Sequence, residues 1–444
     1  MQNNLIDPSI IDNELAACGI QDMEDATIRD IVRVVNAVEA ALGLKFIRME
    51  MGVPGLPPSP VGVEAEIEAL RRGVAQFYPM LEGHAELKEE GSKFVKNFMD
   101  IDISPEGIIP TVGSMQACYA AFMAVTGCRE GKDTILFIDP GFPVQKNQMR
   151  VIGKPYLSFD VYNYRGEKLR AKLEEYLAGG RVAAILYSNP NNPAWICLAE
   201  EELRIIGELA AKHEAIVLED LAYFAMDLRR DLSRPGVPPF QPTVGKYARD
   251  YIVLISGSKI FSYAGQRLGL MCIPDALYNR RYDHLQARFG GNGKLGYTLV
   301  NRIIYTLSSG TTHSSQHAMS AILKAANEGR LDILEGPREY GRRARVMKEL
   351  FTRHGFRLAY ESDLGEPIAD GFYFTLSYPG MTGGALTREL LYHGISAIPL
   401  RDTGSTRQGV RACVSQVGME RMADLEERLR RFTAAHPVEA GAGS

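Results

Sequence analysis

Short apolar runs separated by longer amphipathic segments mark the middle of this chain. Thr134-Ile135-Leu136-Phe137-Ile138, Ala183-Ala184-Ile185-Leu186-Tyr187, Ala215-Ile216-Val217-Leu218-Glu219 and Tyr251 to Ser256 are strand-length, and Leu268 to Ile273 is another such run. Helical periodicity fills intervals at 113–127, 166–178 and 199–213. Continuous apolar strands alternating with helices predict an α/β fold, with a mostly parallel central sheet sandwiched by helices. Several runs end in polar or Gly/Pro turns: Asp139-Pro140-Gly141, Ser188-Asn189-Pro190 and Glu219-Asp220. Open α/β sheets bind ligands outside the carboxyl ends of their strands, so these polar residues collect where a site belongs.

The flanks read differently. Residues 1–62 hold one helical pattern near 26–42 and then the Pro/Gly-rich passage Gly52 to Pro60. From 314 onward come helices, including an Arg/Glu-rich one near 335–354, and strand-like runs at 371–376 and 409–414. This predicts a large domain at 63–313 and a smaller α+β domain built from 1–62 plus 314–444. The small-residue tail at 437–444 is expected to fray.

Composition narrows the function classes. The 444 residues are 45% hydrophobic and 23% charged with a net charge of −4, as in a soluble globular protein. No basic run or aromatic-basic interleaving offers a footprint for nucleic acid. No apolar stretch approaches the roughly 18 residues of a membrane span, and the N-terminus lacks a signal-peptide pattern. Six scattered cysteines without a Cys-x-x-Cys pair predict free thiols in the cytoplasm and no metal site.

Candidate chemistry centres on Ser256-Gly257-Ser258-Lys259, at the end of the Tyr251 run, with Arg267 eight residues beyond Lys259. A desolvated lysine near a second cation can act as a nucleophile or form a Schiff base, while a surface lysine at a strand end is the plainer alternative. Pro110 to Ala117 opens a small-residue helix whose first N–H groups, with Ser114, can hold an anion or simply form a capped helix start. Asp220 ends an apolar run, so its ionised form needs a cationic partner; capping the next segment is the alternative. Tyr223 and Phe142 are either core aromatics or site residues, Phe142 by stacking on a planar ligand. Ser188 to Pro193 is a turn that sets Asn192 at the sheet edge. Arg411, in an apolar run, needs an anion, either a ligand carboxylate or an internal acid.

Asn-Asn-Pro, Asp-x-x-Tyr, Ser-x-x-Lys with a following arginine, and a late arginine occur in an order and spacing that resembles the class I/II aminotransferases. These are fold-type I enzymes of pyridoxal 5′-phosphate (PLP), and the resemblance runs from about Asp25 to Arg430. It implies exchange of an amino group between an L-amino acid and a 2-oxo acid by a ping-pong mechanism. It implies that Lys259 holds PLP as a Schiff base and then moves the substrate proton, and that Asp220 pairs with the pyridinium nitrogen. Tyr223 and Asn192 would bond the ring oxygen, and Phe142 would stack on the ring. Ser114, Met115, Ser256 and Arg267 would hold the phosphate. Arg411 would take the substrate carboxylate, with Asn192 and the Gly52 backbone nearby. Tyr78 matches a tyrosine that reaches the partner subunit's site, which implies a homodimer with shared active sites.

The chain departs from the family at Asn192-Pro193-Ala194-Trp195, where Asn-Pro-Thr-Gly is usual. Trp195, the only tryptophan, is expected to alter the turn, to touch a subunit contact, or simply to pack. Two other functions fit parts of the pattern: a PLP-dependent lyase or decarboxylase, and a PLP-fold ligand sensor that does no chemistry. The sensor would carry a DNA-binding domain before the core, for which the first 60 residues offer one helix and no basic character.

Overall fold

The computed structural model describes residues 4–438, so residues 439–444 of the expected tail lie outside the described residues. The chain divides into two compact units. The larger comprises Leu56–Asn191 and Cys197–Gly336, and the smaller comprises Met1–Gly55, Asn192–Ile196 and Pro337–Ser444. The later boundary thus falls at 336 rather than 313. Helix His313–Asn327 packs on helices Pro60–Arg71 and Ala85–Met99 of the larger unit, burying Ala318, Ile322 and Leu323.

The larger unit is built on a seven-stranded sheet of β1 (Ile108–Val112), β2 (Thr134–Asp139), β3 (Tyr156–Asp160), β4 (Val182–Ser188), β5 (Ile216–Leu221), β6 (Tyr251–Ser256) and β7 (Leu268–Cys272). Its order is β1-β7-β6-β5-β4-β2-β3. Strands β3, β2, β4, β5 and β6 run parallel, while β7 is antiparallel to β6 and to β1. Every residue of β2, β5 and β6 is buried, as expected for strands covered on both faces.

Helix Gly113–Val125 buries Ala117, Cys118, Ala120, Ala121 and Ala124 in the core cluster that includes Ile135, Leu218, Ile252 and Leu254. Its small side chains allow a close approach to the sheet. Helix Glu200–Lys212 shows the amphipathic alternative, with Leu203, Ile206 and Leu209 buried and three glutamates in its first turn, where the helix dipole favours negative charge.

Register places the chemistry. Ser188 of β4 pairs with Asp220 of β5, and Asp220 with Leu254 of β6, so the carboxyl ends of these strands lie side by side. Ser256 at the end of β6 pairs with Gly269, and Val112 at the end of β1 pairs with Leu268. The start of helix Gly113–Val125 and the Ser256–Lys259 turn therefore emerge at the same sheet edge.

The smaller unit holds an antiparallel sheet of four short strands in the order Ile398–Pro399, Val410–Cys413, Tyr373–Ser377 and Arg357–Leu358. Helix Ile28–Leu42 starts with a capping box, in which Thr27 Oγ1 accepts from Asp30 N and the Asp30 carboxylate accepts from Thr27 N. Its stripe of Ile31, Val34, Val35 and Val38 packs in a cluster with Phe46, Leu391 and Ile398. Helix Pro8–Ala17, which buries Ile11 and Leu15, precedes it and is not evident from the apolar pattern.

One buried ion pair ties the larger unit together. Glu202 is fully buried and takes Arg165 Nε at 2.7 Å and Arg165 Nη2 at 2.8 Å. It also accepts the backbone N–H groups of Gly166 and Ala199, at 2.8 and 2.9 Å. Glu202→Ala is expected to cost about 3–5 kcal/mol, because it strands a buried guanidinium. Urea unfolding checks this through a lowered midpoint, with an unchanged slope showing that the folded state stays compact.

Candidate active site

Asp139 and Asp220, buried at the carboxyl edge of the sheet, have different surroundings. Asp139, ending β2, pairs with Lys146. Asp220, near the end of β5, accepts Gln145 Nε2 at 2.8 Å and Ala222 N at 3.1 Å. No cation among the described residues joins it. Burial pushes its pKa up to about 6, the two hydrogen bonds only partly opposing the shift.

Gln145 itself comes from helix Pro143–Val151, which Phe142 precedes as its N-cap residue. Its amide also reaches Cys118 Sγ at 3.4 Å. Sequence reasoning did not single out Gln145, since its role depends on a contact across 75 positions of the chain. Tyr223 follows Asp220 by three residues and is buried.

On the other face of β5, Glu219 accepts from Tyr187 Oη at 2.9 Å, Thr243 Oγ1 at 2.5 Å and Val244 N at 3.3 Å. Its burial raises the pKa to about 7. This network pins the segment around Thr243 beneath the sheet edge.

Helix Gly113–Val125 begins without a side-chain cap from Val112, which leaves first-turn N–H groups, those of Ser114 and Met115 among them, open to an anion. Arg267 lies so close that a Cβ on Gly113 would stand 2.6 Å from its Nη2, and Gly113 has a φ of +66°. The guanidinium donates to Ser258 Oγ at 3.4 Å and to Ala264 O at 2.8 Å, with no acidic partner among the described residues. Ser258, absent from the residues expected at the phosphate, is thus a partner of Arg267. Ser256 Oγ accepts Ser258 N at 3.2 Å, capping the short helix Gly257–Ile260 that carries Lys259.

The expected carboxylate-binding residues converge in the smaller unit. Arg411 is 1% exposed, yet it makes no ion pair among the described residues. Its Nη2 donates to Glu50 O at 2.6 Å and its Nη1 to Asn192 Oδ1 at 3.3 Å, while Nε has no partner. The Glu50 carboxylate turns instead to Arg48 at 2.7 Å and Ser396 at 2.6 Å. The internal acid that the sequence left open is therefore absent among the described residues. Gly52 lies against Tyr373, whose ring covers the Arg411 guanidinium at 4.6 Å.

Tyr78 is 88% exposed. No group of three or more His, Cys, Asp or Glu residues is arranged to hold a metal ion among the described residues.

The profile of the family described as aminotransferase class I and II matches residues 45–429. The chain belongs to aminotransferase class I and II. It is 23% identical over 418 residues to the putative aminotransferase YugH of Bacillus subtilis, covering 93% of this chain and 97% of that protein. A probable aspartate/prephenate aminotransferase of Thermus aquaticus is 25% identical over 247 residues, 54% of this chain and 60% of that one. The fold is shared with the aspartate aminotransferase from Thermus thermophilus solved with maleate, at a TM-score of 0.72 and 18% identity over 95% of this chain and 98% of that chain. An alanine aminotransferase from Pyrococcus furiosus superposes equally well, with a TM-score of 0.72 at 20% identity, covering 92% and 96%. This aminotransferase is thus a transferase enzyme with a mostly parallel central sheet flanked by helices, and no helix among the described residues is long and apolar enough to cross a membrane.

Asp220 gives a pH test of the site. Its folded pKa, about 6, lies above the ordinary 3.8, so ionising it costs stability. The penalty is absent below about pH 4, grows between pH 4 and 6, and is constant above. Asp220→Asn is expected to stabilise the protein freed of small molecules by on the order of 1–3 kcal/mol at pH 8 and to have no effect at pH 4. Thermal melts of both proteins across that range check it, since the other buried acids titrate alike in each.

Proposed function

We propose that this aminotransferase uses PLP and moves an amino group between an L-amino acid and a 2-oxo acid in a ping-pong cycle. The observation that carries the reading is Asp220, a fully buried carboxylate with neutral partners only, one strand away from the strand that leads into Lys259. The donor set fits the cofactor: a pyridinium nitrogen supplies the missing cation at Asp220, and a phosphate suits the first turn of helix Gly113–Val125 with Arg267 beside it. When bound, PLP supplies an electron sink that makes the amino acid Cα proton acidic.

The chain's residues do the rest. Lys259 would hold the cofactor through its amine and would carry the proton at Cα. Asp220, oriented by Gln145 and the Ala222 N–H, would pair with the ring nitrogen. Tyr223 and Asn192 would bond the ring oxygen, and Phe142 would cover the ring. Ser114, Met115, Ser256, Ser258 and Arg267 would hold the phosphate. Arg411, with Asn192 and Gly52, would receive the substrate carboxylate. The free state of all six cysteines fits a reducing, cytoplasmic setting. The exposure of Tyr78, with its exposed neighbours Phe77 and Met80, supports a homodimer in which Tyr78 serves the partner's site.

The purified protein is expected to be yellow and to change colour when an amino donor is added. Borohydride reduction and peptide mapping should leave the cofactor on Lys259, and a Lys259→Ala protein that still forms a reducible lysine adduct would overturn the assignment. Arg267→Ala is expected to weaken cofactor binding by roughly 10- to 100-fold, the loss of a charge-assisted contact. Dialysis followed by absorbance titration with PLP measures that loss, and a panel of amino donors and oxo acids identifies the substrates.

A further inference from the structure

Trp195 takes the left-handed backbone conformation, with a φ of +60°, which is costly for a bulky side chain. Its side chain is fully buried, and the chain clears space for it: a Cβ on Gly371 would lie 2.1 Å from the indole. What the indole supports is Tyr373, met edge-on with ring centroids 6.0 Å apart. Tyr373 in turn lies over Arg411, 4.6 Å from guanidinium carbon to ring centroid.

Strand register explains the stack. Thr375 pairs with Arg411, and Tyr373 shares a sheet face with Thr375, so Tyr373 and Arg411 are diagonal neighbours on one face. The hydroxyl end of Tyr373 is held as closely, since a Cβ on Gly52 would come within 1.8 Å of it. Indole, phenol and guanidinium thus form one column in the smaller unit, closed by glycines at both aromatic layers. In its own plane the guanidinium is fixed by Glu50 O and Asn192 Oδ1.

We propose that Tyr373, backed by Trp195, is a positioning residue that fixes the plane of Arg411 for a ligand carboxylate, and that Trp195 therefore reports on carboxylate binding. The proposal rests on the reading that Arg411 receives the substrate carboxylate. A guanidinium binds a carboxylate best in its own plane. A ring stacked on one face leaves that plane open, blocks the face and stabilises the desolvated cation. Trp195 meets Tyr373, and Tyr373 meets Arg411, so a carboxylate that shifts the guanidinium alters the surroundings of the indole. Because the chain has a single tryptophan, its emission has one source.

The test uses the holoenzyme and two unreactive carboxylates, maleate and 3-phenylpropionate, with affinity read by tryptophan emission and by competitive inhibition. The wild type is expected to give a saturable emission change whose midpoint matches the inhibition constant for at least one probe. Tyr373→Leu should weaken that affinity about tenfold and raise the KM for the amino donor by a similar factor, with kcat within about twofold. Tyr373→Phe, which keeps the ring, should stay within about twofold of the wild type in both. If Tyr373→Leu does not fold, Tyr373→Met carries the same expectation.

Inhibition without any emission change overturns the reporter role of Trp195. If Arg411→Lys weakens binding but removing the Tyr373 ring does not, the positioning role fails alone. Unchanged affinity in Arg411→Lys instead overturns the underlying assignment of Arg411. A fall in kcat equal to the rise in KM for Tyr373→Leu marks a merely structural role and likewise overturns the proposal.

Discussion

The cost of burying a charge without a countercharge governs this molecule. Asp220 sits in the dry edge of a seven-stranded sheet with an amide and a backbone N–H as its partners. Asp139, two strands away, shows that the fold can place a lysine beside a buried acid. Leaving Asp220 without one is tolerable because the deep core around it, from Ile135 to Ile304, carries the stability of the unit. Functional sites commonly hold such locally unfavourable arrangements, and the surplus from packing elsewhere sustains them.

The smaller unit repeats the theme with the opposite sign. Arg411 is buried among carbonyl oxygens and an aromatic face, and the Glu50 carboxylate is engaged elsewhere. Asp220 in the larger unit and Arg411 in the smaller each lack a charged protein partner among the described residues. Glu219 makes the contrast plain. It is as buried as Asp220 but is held by three donors, and it anchors a neighbouring segment.

Much of this was readable before folding, for definable reasons. Strands β2, β4, β5, β6 and β7 announce themselves because burial on both faces demands unbroken apolar runs. The two strands that the pattern does not show, β1 and β3, are the two edges of the sheet. At an edge β1 tolerates Pro110, and β3 is only half-buried, so their sequences blur. Among site residues, those fixed by local spacing, such as Ser256, Lys259 and Arg267, stand out in the chain. Gln145 and Tyr373 do not, because each acquires its place by a contact with a residue far away in the chain. The boundary near 336 was hidden for a similar reason. Helix His313–Asn327 has the same amphipathic pattern as the helices after it, but it packs on helices hundreds of positions earlier.

The five residues Asn192–Ile196 belong to the smaller unit although the chain on both sides of them belongs to the larger. They carry Asn192, which touches Arg411, and Trp195, which supports Tyr373. The two units are consequently not modules in the genetic sense. A gene cut at residues 55 and 336 would send this short segment away with the wrong fragment, and the smaller piece would lack its only indole and the amide on its buried arginine. Recombination can exchange surface loops in such a chain, but it has to inherit the two units together.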